Sequence, residues 1–96
     1  MPMTKKHHFL DGGGETGALM RNMDWSKNPL GLPDTWTSAL KFTVRAMLDS
    51  PLPMSIGWGN DFIRLYNDHY IRLLGANNHP SALGRPIPEV CLHRHA

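Results

Sequence analysis

The longest regular apolar pattern in the chain runs through Trp36, Leu40, Val44, Met47 and Leu48. Steps of three and four residues put these side chains on one stripe of a helix, expected over 35–49. Asp34 follows Pro33 and is the candidate N-cap. Lys41 and Arg45 share the other face, Arg45 can meet Asp49, and Pro51 and Pro53 stop the helix. A shorter helix is expected over 15–23. There Leu19 and Met23 are four apart, Ala18 and Met20 add apolar surface, and Glu15 sits in the first turn, where the helix dipole favours an acid. Between the two, Asn28 to Pro33 holds two prolines and a glycine and cannot be regular helix.

After Pro53 the pattern changes from helical to alternating. Met54, Ile56 and Trp58 alternate with Ser55 and Gly57, which predicts a half-buried strand near 54–58. Gly59-Asn60-Asp61 supplies turn chemistry, and a second strand follows near 62–66. Two registers compete. A three-residue loop pairs Trp58 with Phe62 and sets Arg64 opposite Ile56. A four-residue loop, Gly59 to Phe62, pairs Trp58 with Ile63 and Ile56 with Leu65. The second keeps one face wholly apolar and is preferred, since a slip of one residue exchanges the faces. Asn67 then caps a short helix over 68–74, which carries Tyr70, Leu73 and Leu74 and ends at Gly75 in the left-handed conformation. Pro80 fits the first position of another helical turn, with His79 as its cap and Gly84 closing it. Residues 1–11 read as a flexible tail, and 89–96 are too few to form an element.

Composition narrows the class. The chain has 96 residues, enough for one domain, and 41% of them are hydrophobic, as in a globular protein. Ten basic residues against eight acidic ones give a net charge of only +2, with no basic stripe, so nucleic acid is not an expected partner. The single cysteine, Cys91, allows no internal disulfide, which points to a reducing cytoplasm. No apolar run approaches the roughly 18 residues of a membrane span, and the start lacks the apolar region of a signal peptide.

The candidate chemistry is sparse. Gly12, Gly14 and Gly17 have the spacing G-x-G-x-x-G, but no strand precedes them, so a flexible helix entry is expected rather than a nucleotide site. Cys91, His93 and His95 can each bind zinc, yet they have no second cluster and read as a solvated tail, as do His7 and His8. His69 beside Asp68 reads as an exposed histidine. Trp36 and Trp58 fit apolar stripes and are expected in the core rather than, with Trp25, in a binding cage. Tyr66 and Tyr70 each present an apolar ring and a hydroxyl, and with Ile56 and Trp58 they are the candidate pocket lining. No cofactor is indicated: there is no haem-attachment motif, and Cys91 lies in no flavin-photochemistry motif.

A helix, a proline break, a strand hairpin and then short helices is the opening order of a PAS domain. Gly12-Gly-Gly-Glu-Thr-Gly-Ala-Leu-Met-Arg21, Asp24-Trp-Ser26, Pro29-Leu-Gly31, Trp36 and Ser38-Ala-Leu40 resemble the leader of one group of PAS-containing bacterial sensor histidine kinases. Trp58-Gly59, Leu65-Tyr-Asn-Asp68, Tyr70, Leu74-Gly75, His79-Pro80, Ala82-Leu-Gly-Arg-Pro86 and Glu89-Val90 continue that resemblance, which spans about residues 9–90. It implies an α+β, PAS-like chain: a helical leader over 12–53, the first half of the PAS domain over 54–90, and a divergent tail over 91–96. It implies a cytoplasmic signal-input module of a two-component system, sensing a small molecule, redox state or partner. The kinase region of such proteins is not in this chain, so no catalysis is expected from it. The family continues after Val90 with further helices and three more strands. The unlike Cys91-Leu-His-Arg-His-Ala96 suggests a truncated or frame-shifted reading frame, with much of the pocket wall outside the chain. The alternative is a protein-interaction fragment. Helix 35–49 and the apolar hairpin face would seek a partner, or the chain would self-associate through the hairpin edge, whose unpaired backbone invites a strand.

Overall fold

Among the described residues, three α-helices, a two-stranded hairpin and a string of turns pack around one core, giving a small α+β fold. The computed structural model describes residues 8–75 and 77–87. Its regular elements are α1 (Gly14–Asn22), α2 (Ser38–Asp49), β1 (Ser55–Trp58), β2 (Ile63–Tyr66) and α3 (Ile71–Leu74), with single 3-10 turns at His8–Leu10, Pro33–Thr35 and Asp68–Tyr70.

α2 is the centre of the core. Leu40, Val44, Met47 and Leu48 are all buried, as their spacing predicts, and Arg45 pairs with Asp49 at 2.6 Å. Its start differs from expectation. Asp34 belongs to the separate 3-10 turn Pro33–Thr35, and α2 begins at Ser38, with the Thr37 hydroxyl accepting from the Leu40 N–H at 3.1 Å. Trp36 between them is extended, with ψ near 147°. It is buried through its own contacts rather than as part of the helical stripe, and its indole N–H donates to the Gly31 carbonyl at 2.8 Å. Trp25 stands edge-on to Trp36 at 5.1 Å and donates to the Met20 carbonyl. Both indoles thus have the partner that a buried N–H requires.

The expected flexible tail is corrected over its described part. Phe9 and Leu10 are core residues, and Phe9 packs against Trp36 at 5.7 Å. Two arginines hold the segment by its carbonyls. Arg21 donates to Leu10 and Gly12, and Arg45 donates to Phe9 and Asp11. Two apolar residues in a polar stretch form no local pattern. They become ordered because helices distant in sequence bring both the cover and the donors.

The hairpin takes the four-residue loop, with Ile56 opposite Leu65 and Trp58 opposite Ile63. Phe62 closes that loop at φ 51°, an unusual conformation for a residue with a side chain. β2 begins one residue later than expected, at Ile63, and is buried on both faces, whereas β1 is half-exposed. β2 also has a backbone neighbour on its outer edge. Gly84–Ile87 runs along the outer edge of β2, with Arg64 N–H to the Arg85 carbonyl at 2.8 Å, Gly84 N–H to the Arg64 carbonyl at 2.8 Å and Ile87 N–H to the Phe62 carbonyl at 2.9 Å. The expected helical turn at Pro80–Gly84 is instead a run of hydrogen-bonded turns over 77–84. The predicted 68–74 helix is present as the 3-10 turn Asp68–Tyr70 running into α3, and Asn67 caps it by accepting from the Tyr70 N–H. Gly75 ends it at φ 92°, ψ 146°, a positive φ outside the left-handed helical region.

Candidate functional site

Three polar side chains from separate parts of the chain meet at the seam between α1 and the hairpin. The Tyr66 hydroxyl lies 2.7 Å from Nδ1 of His79, and Nε2 of His79 lies 2.6 Å from a carboxylate oxygen of Glu15. β2 delivers Tyr66, the turn over 77–84 delivers His79, and the first turn of α1 delivers Glu15. A carboxylate only accepts, so Nε2 carries the proton and donates to Glu15. In the neutral ring Nδ1 then accepts from the Tyr66 hydroxyl. Burial pushes the Tyr66 phenol up to about 12, with Arg64 opposing that shift and Glu15 adding to it. Tyr66 has no solvent-accessible surface and His79 has little. The chain of hydrogen bonds is therefore a tie between elements and not a nucleophile facing a substrate.

Beside it, Asp68 occupies the N-terminus of α1. Its carboxylate accepts from the Glu15 N–H at 2.9 Å and from the Thr16 N–H at 2.7 Å. Burial pushes the carboxyl up, but the Thr16 and Glu15 donors outweigh it and hold the group below its ordinary value. This gives the glycine cluster a structural account. A Cβ on Gly14 would collide with the Asp68 carboxylate, and one on Gly17 would collide with the Gly12 carbonyl. The G-x-G-x-x-G spacing does serve an anion at a helix start, but the anion is the chain's own carboxylate, and the entry is held rather than flexible.

The four candidate pocket residues are not brought together. Paired positions on an antiparallel hairpin share a face and neighbours alternate. Ile56 and Trp58 therefore lie with Leu65 and Ile63, and Tyr66 points the other way, where it meets Tyr70 at 5.9 Å. Trp36 is core as expected, and Trp58 is only half-buried, packed against the core cluster. An open hollow of about 300 Å³ lies elsewhere, between Pro51, Pro53, His69, Arg72 and Leu73. Cys91, His93, His95 and His7 fall outside the described residues. Among the described residues no group of three or more His, Cys, Asp or Glu could hold a metal ion. No described helix is long and apolar enough to cross a membrane.

Periodicity could not find the roles of Glu15, Asp68 and His79, because Asp68 and His79 reach the start of α1 across more than fifty positions. The one sequence signal was that all three fall inside the strings quoted for the PAS resemblance. Comparison with protein-family models, with curated proteins and with solved structures finds no match to this chain.

Proposed function

We propose that the chain is the opening part of a PAS-type signal-input module of a bacterial two-component protein. One observation carries this reading. The separated strings of the resemblance, Gly12 to Arg21, Leu65 to Asp68, Tyr70 and His79-Pro80, supply the residues of a single junction between leader and hairpin. Strings that converge in space are easier to account for as parts of one inherited unit than as chance matches. In this proposal the half-covered hairpin face, Ile56 and Trp58, meets a small-molecule signal, and the junction passes the change to α1. The test is native mass spectrometry of the purified 96-residue chain, followed by thermal shift with whatever is retained. A retained small molecule whose stabilisation is lost in Trp58→Ala and Ile56→Ala supports the reading. ATP turnover by the purified chain, or ligand binding unaffected by both substitutions, overturns it.

A second reading, a protein-interaction fragment, draws on a different observation. Phe42 is 76% exposed on the outer face of α2, and Leu73 and Leu52 are 68% and 66% exposed, Leu73 in the wall of the hollow with Pro51 and Pro53. In this reading a protein partner covers Phe42 and the outer face of α2. Binding of a partner that is lost in Phe42→Ser, with no small molecule retained, would select this reading.

A further inference from the structure

We infer that the outer edge of β1 is a self-complementary strand that pairs with β1 of a second copy of this chain, antiparallel, about a two-fold axis through Ile56.

The ladder decides which backbone groups are free. In an antiparallel pair, residues alternate between those bonded to the partner and those pointing away. Arg64 bonds outward to Gly84 and Arg85, and the Asn67 N–H bonds to the Met54 carbonyl. With Gly57 opposite Arg64 and Ser55 opposite Tyr66, the backbone of Met54, Ile56 and Trp58 faces β2, and that of Ser55 and Gly57 faces outward. Both are exposed, and among the described residues nothing pairs with them. The other edge of the hairpin is already occupied by Gly84–Ile87, so only this one can accept a strand.

The geometry then selects the occupant. A two-fold at Ile56 sets Ser55 against the second copy's Gly57, and Gly57 against its Ser55. All outward N–H and C=O groups are used, about four hydrogen bonds in total. Shifting the axis one residue either way brings in Pro53, which has no N–H, or Gly59, which has φ 79° and is not extended. The same axis sets Ile56 on Ile56, and Met54, 36% exposed, on the second copy's half-buried Trp58. A thioether beside an aromatic ring is a favourable contact. β1 carries no charge, proline or bulge of the kind that protects an edge, so the two-fold places no like charges together. The pairing does not depend on the sensor reading.

Sedimentation velocity of the full 96-residue chain over roughly 1 to 500 μM, the range in which small interfaces associate, is the first measurement. The expected result is an apparent mass that doubles with concentration, and a monomer at all concentrations for Ser55→Pro, which removes an outward donor. Should Ser55→Pro fail to fold, cross-linking decides. In a Cys91→Ser background, Ile56→Cys is expected to form a disulfide dimer under mild oxidation many-fold faster than Asp61→Cys in the exposed turn. Facing residues of this kind sit about 4.5 Å apart, within disulfide reach. A monomer throughout the range overturns the inference. So does a dimer indifferent to Ser55→Pro, or an Ile56→Cys cross-link no faster than that of Asp61→Cys, since either moves the contact to another surface such as the one around Phe42.

Discussion

At the scale of single residues, two side chains carry pH dependence of opposite sign. Asp68 is held below the ordinary carboxylate value by the donors at the start of α1. A depressed carboxyl contributes stability that is full above its unfolded value, 3.8, and is lost as pH falls through the folded one. Asp68→Ala is expected to cost about 1–2 kcal/mol at neutral pH, as loss of a helix cap does. The difference from wild type should shrink as the pH is taken below 4 in urea titrations. Tyr66 is the reverse case. Its phenol is raised from 10 to about 12, first by burial, so its contribution is full below pH 10 and is lost between 10 and 12. Tyr66→Phe keeps the ring but leaves Nδ1 of His79 without its donor. It should cost about 1 kcal/mol near neutrality and remove the latest phenol ionisation seen by absorbance in alkali.

At the scale of elements, α2 is specified twice, by its stripe and by its cap. Met47 has no accessible surface, and its replacement by alanine opens a cavity beside Leu40 and Val44. Met47→Ala is expected to lower stability by about 2–4 kcal/mol. Thr37→Ala, which removes only the hydroxyl that accepts from Leu40, should lower it by about 1 kcal/mol. The pair separates packing from capping within one helix, and guanidinium unfolding followed by tryptophan fluorescence would measure both. α1 is weaker on its own terms, with glycines at both Gly14 and Gly17. Its start depends on Asp68, and Arg21 ties it to the carbonyls of Leu10 and Gly12.

At the scale of the molecule, one amide joins the leader to the hairpin. The Asn67 side chain donates to the Met47 carbonyl and the Leu52 carbonyl, both at 2.9 Å, and accepts from the N–H groups of Met54 and Tyr70 at 3.2 Å. It is buried and each of its polar atoms is used. Helix, proline loop, strand and following turn therefore unfold together, and fluorescence and far-ultraviolet circular dichroism should give coincident transitions. Asn67→Ala should cost about 1–3 kcal/mol, because it takes the acceptor from the Met54 N–H and removes two donors at once. Association through β1 adds a second signature. If the native state is a dimer, its melting temperature rises with protein concentration, and in Ser55→Pro it should not.

The chain by itself determined whatever depends on near neighbours. The α2 stripe, the stop at Pro51, the Asn67 cap and the hairpin register are all local, and the register followed because only one slip leaves an apolar face unbroken. The tertiary structure decided what depends on distant partners. Phe9 and Leu10 enter the core because Arg21 and Arg45 reach back to their carbonyls. The glycines of 12–17 receive a carboxylate rather than a phosphate because the backbone returns Asp68 to that helix end. The proposed pocket residues divide between two faces because Tyr66 is one position out of phase with Leu65. His79 finds Tyr66 and Glu15 only when α1 and the hairpin are packed. A periodic pattern states which way a side chain points along its own element. Which group it meets there is set by elements tens of residues away, whose placement no local period contains.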